Sequence, residues 1–201
     1  MRWAPHLVRL AVGDDTAALA RQALGYVGES IARGFPRLEH LTLRSGIPPT
    51  TSSPFGFDGL QLEHLHTLEI ELAASRVDYR LELDRCRLPA LETLVLRGAG
   101  IGALVPALLR GSLFERIRHL ALHGLAVDIA LDAILPNATL AGNLETLDLS
   151  GSSLTSAGAR ALVAHRGMFR ALVEIDVSAT AIPAHDVVAL REAYPNAAIV
   201  R

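Results

Sequence analysis

The chain has 201 residues, half of them apolar, with 19 basic against 21 acidic side chains and a formal net charge of -2. That length can bury a core as one domain over residues 1–201, and the near-balanced charge supplies no field to draw the chain onto nucleic acid or an anionic membrane. A lone cysteine, Cys86, leaves no internal disulfide framework and suits a reducing cytoplasm, while Pro5, His6 and Arg9 break the opening stretch where a signal peptide would be apolar.

Taken in chain order, one pattern recurs: an apolar residue, a second three positions on, and a third two beyond that. It starts at Leu7, Leu38, Leu65, Leu91, Ile117, Leu144 and Leu172, and from Leu38 onward the starts are 26 to 28 residues apart, after a first interval of 31. Spacing this even predicts about seven stacked repeats, with a partial eighth strand over Ala197 to Val200. Within each pattern the last two apolar positions alternate as in a strand, so they face inward together and the residues between and around them face outward. A repeat of this length holds one short strand and enough chain to return before the next strand pairs in parallel. No window reaches the roughly 18 consecutive apolar residues of a membrane-spanning helix.

The return segments come next. Asp14 to Leu24, Ile101 to Leu109, Val127 to Leu135, Thr155 to Ala164 and Pro183 to Ala193 carry apolar residues at helical spacing, with Thr155 and Pro183 as start signals. Ser45 to Gly59 is too rich in Pro, Gly and Ser for a helix, and its Phe55 and Phe57 fit either a protruding contact loop or a plug on the outer side. Val77 to Arg85 alternates like an extended segment.

The sixth unit, beginning Leu144-Glu-Thr-Leu-Asp-Leu-Ser, resembles the ribonuclease-inhibitor-like class of leucine-rich repeats through Leu144, Leu147, Leu149, Leu154, Gly158 and Leu162. Only this unit and the last match across the helix as well as the strand. The resemblance implies an α/β solenoid, a horseshoe with its parallel sheet on the concave side and mostly helices on the convex side. It also implies a cytoplasmic protein that binds other proteins, in a class many of whose bacterial members have no assigned role. The family places Asn or Cys three residues after the last strand leucine, and here those positions hold Gly46, Ala99, Leu125, Ser152 and Thr180. With no asparagine ladder, the loop amides must find other partners, and the expectation is irregular loops.

The outward strand positions then define the surface on which a partner would sit. The candidate residues are His40, Arg44, Glu69, Glu71, Arg97, His119, His123, Asp148, Glu174 and Asp176. The row leans basic at Arg9, His40 and Arg44 and acidic at Asp148, Glu174 and Asp176, so the acidic end would meet a basic patch on a partner. The plainer alternative is that these charges keep an exposed sheet in water. His119 and His123, four residues apart on one strand, have backbones roughly 13 Å apart, too far to share a metal ion. No cofactor or metal is expected, and no nucleophile elbow, phosphate loop or His-Glu-x-x-His helix occurs.

The expected function is therefore a non-enzymatic protein-interaction scaffold. The alternative is a regulatory subunit or fragment of a larger enzyme system, of a GTPase-activating or ubiquitin-ligase adaptor type, for which Arg97 at a strand end is the relevant residue. The first pattern begins six residues after Met1 with only Trp3 to cover it, so the expectation is a monomer, a weak dimer through the N-terminal edge, or a piece of a longer chain.

Overall fold

A computed structural model describes residues 6–14, 27–45, 60–72, 86–99, 116–136 and 138–201. In chain order the elements are β1 (Arg9–Asp14), α1 (Val27–Gly34), β2 (His40–Ser45), β3 (Thr67–Leu72), β4 (Thr93–Arg97), β5 (His119–His123), α2 (Val127–Ile134), α3 (Ala138–Asn143), β6 (Thr146–Asp148), α4 (Ser156–Ala164), β7 (Glu174–Asp176), α5 (Ala184–Ala193) and β8 (Ala198–Val200). A 3-10 turn covers Arg166–Met168.

The eight strands form one open sheet in which every neighbouring pair is parallel and the spatial order is the order along the chain. The register repeats the sequence pattern: Leu41 lies beside Leu68, Leu68 beside Leu94, Leu94 beside Leu120, and Leu120 beside Leu147. The alternation is visible in burial. Leu68, Ile70, Leu94, Leu96, Leu120 and Leu122 are buried, while the residues between them are part-exposed. Leu38, Leu65, Leu91, Ile117, Leu144 and Leu172, the first residues of the pattern, are buried beneath the turn that enters each strand. A leucine column of one repeat is thus walled by those of the repeats on either side, which is why no single unit could close its own core.

Entry into each strand is made the same way throughout. The carbonyl of Glu39 accepts from the backbone N–H of both His66 and Thr67, that of His66 from Glu92 and Thr93, that of Glu92 from Arg118 and His119, and that of Arg118 from Glu145 and Thr146. These paired bonds stitch each repeat to the next before the ladder proper begins.

The exits are as regular. Gly98, Gly124, Gly151 and Ala179 occupy the same place, two residues past the last inward strand position, and all have positive φ, at 92°, 65°, 62° and 54°. Gly98 N–H donates to the His123 carbonyl and Gly151 N–H to the Ser178 carbonyl, each at 2.9 Å, while Ser153 N–H reaches the Leu125 carbonyl at 3.0 Å. The expectation of irregular loops therefore gives way, at these four units, to a repeated left-handed turn. Where an asparagine ladder is missing, backbone carbonyls of neighbouring repeats take its place, the following repeat's for Gly98 and Gly151 and the preceding one's for Ser153. The hydroxyls of Ser152 and Thr180 fold back onto the carbonyls of Leu149 and Val177.

The return side matches the sequence reading over α2, α4 and α5. Thr155 caps α4, its side-chain oxygen accepting from Ala157 N–H at 3.1 Å, and Pro183 precedes α5 with an extended backbone. α1 and α3 add helical turns that the periodicity had not marked. The candidate helices at Asp14 to Leu24 and Ile101 to Leu109, the Pro- and Ser-rich stretch with Phe55 and Phe57, the Val77 to Arg85 segment and Trp3 lie outside the described residues, apart from Asp14 in β1 and Ser45 in β2. In the residues that follow Gly59 and Arg85, Gln61 and Arg87 form a parallel bridge flanked by buried Leu60, Leu62, Cys86 and Leu88, so part of the return side is extended there. Among the described residues no helix is long and apolar enough to cross a membrane.

Candidate interaction face

The parallel register sorts the outward side chains into rows across the sheet. One row runs Arg9, His40, Thr67, Thr93, His119, Thr146 and Glu174; the next runs Ala11, Thr42, Glu69, Val95, Ala121, Asp148 and Asp176. A third, through β2 to β5, holds Arg44, Glu71, Arg97 and His123. All ten candidate residues lie on this face. Arg44 and Glu174 are exposed and the other eight part-exposed.

They are not ten independent groups. Arg44 and Glu71 stand directly opposite across β2 and β3, with Nε 3.1 Å from Oε2. Glu69 is held from two sides: Arg97 Nε donates to its Oε1 at 2.7 Å from β4, and Thr42 Oγ1 donates to its Oε2 at 3.2 Å from β2. His119 Nδ1 lies 3.0 Å from the Thr146 hydroxyl. His123 is contacted through both ring nitrogens. Its Nε2 is 3.3 Å from Asp148 Oδ2, and its Nδ1 is 3.1 Å from the Ser150 carbonyl and 3.2 Å from the Ser150 hydroxyl. Asp148 and Asp176 each accept a bond from the backbone N–H two residues on, at Ser150 and Ser178, which fixes the two carboxylates at the ends of their strands.

Cross-strand pairing changes the charge pattern read from the row. In the middle of the face Glu69 and Glu71 are neutralised by Arg97 and Arg44, so Arg44 adds little to the basic end. Without an arginine partner there remain Arg9, with His40 beside it, at one end, and Asp148, Glu174 and Asp176 at the other, where Asp148 faces the His123 ring. None of Arg9, His40 and Glu174 has a side-chain hydrogen bond or ion pair among the described residues.

The Arg44 to Glu71 pair was legible once the repeat starts were aligned, because the two occupy the same position in successive units. The diagonal contacts, Arg97 to Glu69 and His123 to Asp148, join different rows and depend on side-chain reach, which spacing does not carry. Around the Arg9 end the face forms an open hollow of about 440 Å³ over β1 to β3, lined by Arg9, Ala11, His40, Thr42, Thr67 and Glu69. A second groove, of about 360 Å³, lies at the strand entries between Glu92, Arg116, Arg118 and Glu145. Its charges are partly paired, Arg118 with Glu145, and Arg116 donates to the Pro89 carbonyl at 2.8 Å.

No family model and no curated protein matches this chain. Among solved structures, the chain is similar to a structural-genomics crystal structure from Bacteroides fragilis, at 17% identity and a TM-score of 0.56. The match covers 98% of this chain but 66% of that one, so the present chain spans just under two thirds of its neighbour's length. At that identity the likeness is one of fold: a repeat-like α/β architecture with a single open parallel sheet.

Proposed function

We propose that this protein is a non-enzymatic interaction scaffold of the leucine-rich repeat type, a horseshoe whose concave face is the outward side of the sheet and whose partner is another protein. The observation that carries the reading is the row structure of that face. Seven successive strands present their outward side chains at fixed spacing on a rigid ladder, which is the form of preorganisation that lets a broad, shallow surface bind without ordering costs of its own. The sequence resemblance at Leu144 to Leu162 supports the same class, and is an argument by analogy of fold. The regulatory alternative draws on Arg97 as a free strand-end cation. That residue is engaged by Glu69, which favours the scaffold reading.

The test is affinity capture from cells with the native chain and with a triple variant, Arg97→Ala, His119→Ala and Asp176→Ala, checked for an unchanged circular dichroism spectrum. Loss of specific partners from the variant is the expected result. Equal recovery of the same partners would remove the sheet face from consideration.

A further inference from the structure

Building on the scaffold reading, we infer that the hollow over β1 to β3 is the anchoring point for an acidic segment of the protein partner, with a carboxylate seated between Arg9 and His40. Three observations lead there. The hollow exists because Ala11 and Thr42 are short, leaving a floor below the longer side chains that ring it. Arg9 and His40 are adjacent in register across β1 and β2, both reach the surface, and neither is engaged by another side chain among the described residues. The carboxylate that would repel an acidic ligand, Glu69, has its two oxygens taken by Arg97 and Thr42. The guanidinium of Arg97 cancels its charge, and Arg9 is left as a surplus cation over the hollow.

Charge around the rest of the molecule sharpens the argument. With a net charge of -2 the whole chain gives an anionic peptide no general attraction, so binding of one would report a local site. The opposite end of the face, at Glu174 and Asp176, has the wrong sign for the same ligand.

The test uses the full chain and three rhodamine-labelled twelve-residue peptides of matched length: one rich in Glu and Leu, one in which Lys replaces Glu, and one in which Gln does. Fluorescence anisotropy at low and at physiological salt gives the affinities. The inference expects the Glu peptide to bind best, to weaken as salt rises, and to lose at least about tenfold in affinity on Arg9→Ala or His40→Ala. Arg191→Ala, an exposed cation on α5, is the control and should change nothing. Absence of Glu-peptide binding, equal loss with Arg191→Ala, or preference for the Lys peptide would overturn the inference. If the Lys peptide binds and is lost on Glu174→Ala with Asp176→Ala, the face remains a binding surface while the acidic anchor fails. If sedimentation shows instead a concentration-dependent dimer abolished by Arg9→Ala and by Glu174→Ala, the occupant is a second copy and the partner assignment is wrong.

Discussion

Gly98, in the turn after β4, lies against the backbone of Leu72 at the end of β3: a Cβ on Gly98 would fall 3.0 Å from the Leu72 carbonyl carbon and closer still to its oxygen. The equivalent turn two units later, at Gly151, has nothing within 4 Å of the same position. Both glycines have positive φ, so alanine at either carries the left-handed penalty, but only at Gly98 does it also collide with another repeat. Gly98→Ala is expected to cost at least about 3 kcal/mol, and Gly151→Ala about 1 kcal/mol. Denaturant unfolding of the two variants reads the difference directly; equal losses would mean that the Leu72 contact relaxes freely.

Ala179 occupies that turn position in the next repeat, at φ 54°, without the freedom of glycine. Replacing it by glycine removes the clash of a Cβ in the left-handed region but adds backbone entropy to the unfolded chain, and the two partly offset. Ala179→Gly is expected to stabilise by about 0.5 kcal/mol, seen as a higher denaturation midpoint at unchanged slope. A lower midpoint would show that entropy wins at this site.

Tyr194, just after α5, donates its hydroxyl proton to the Leu162 carbonyl at 2.8 Å and packs edge-on against Phe169. Burial pushes its phenol well above the ordinary range, against a weaker opposing pull from Arg166. The folded state therefore holds the proton where the unfolded chain releases it. This contribution to stability is complete below about pH 10 and falls as pH rises beyond that value. Tyr194→Phe should cost about 1 kcal/mol at neutral pH through the unpaired Leu162 carbonyl, and should show a smaller loss of melting temperature between about pH 10 and pH 11 than the native protein. Parallel melting curves of the two proteins over that range would exclude Tyr194 as the source.

The repeat spacing carried the strand order, because a period of 26 to 28 residues with one inward pair per unit leaves little choice but sequential parallel pairing. It also sorted outward from inward residues, as at Leu94 and Leu96 against Thr93, Val95 and Arg97. Two kinds of feature were not legible. Positive φ at Ala179 is set by the repeated turn and overrides what alanine prefers alone. The pairing of Arg97 with Glu69 joins two rows across a strand step, and it turns a face that reads as a gradient of charge into one that is neutral in the middle and charged at its ends.

On the return side, polar side chains tie together the starts of α2, α4 and α5, which belong to successive repeats. Asp128, in the first turn of α2, accepts from the Thr155 backbone N–H at 3.2 Å and from the Thr155 hydroxyl at 2.5 Å, and Thr155 is the residue that caps α4. Ser156, the first residue of α4, in turn donates to the buried Asp186 of α5 at 2.5 Å. Gly158 completes the first contact, since a Cβ there would run into the Asp128 carboxylate. If each repeat is stabilised by its neighbour, this bridge belongs to the interface between units and not to either helix alone. Asp128→Ala and Thr155→Val are each expected to cost about 1 kcal/mol, and the double variant less than the sum, because either single change already removes the hydroxyl bond that the two side chains share, while the bond from the backbone N–H at 155 is lost only with Asp128. A double variant whose loss equals that sum would place the stabilisation in the separate helix caps, leaving the sheet hydrogen bonds and the packed leucine columns to couple these repeats.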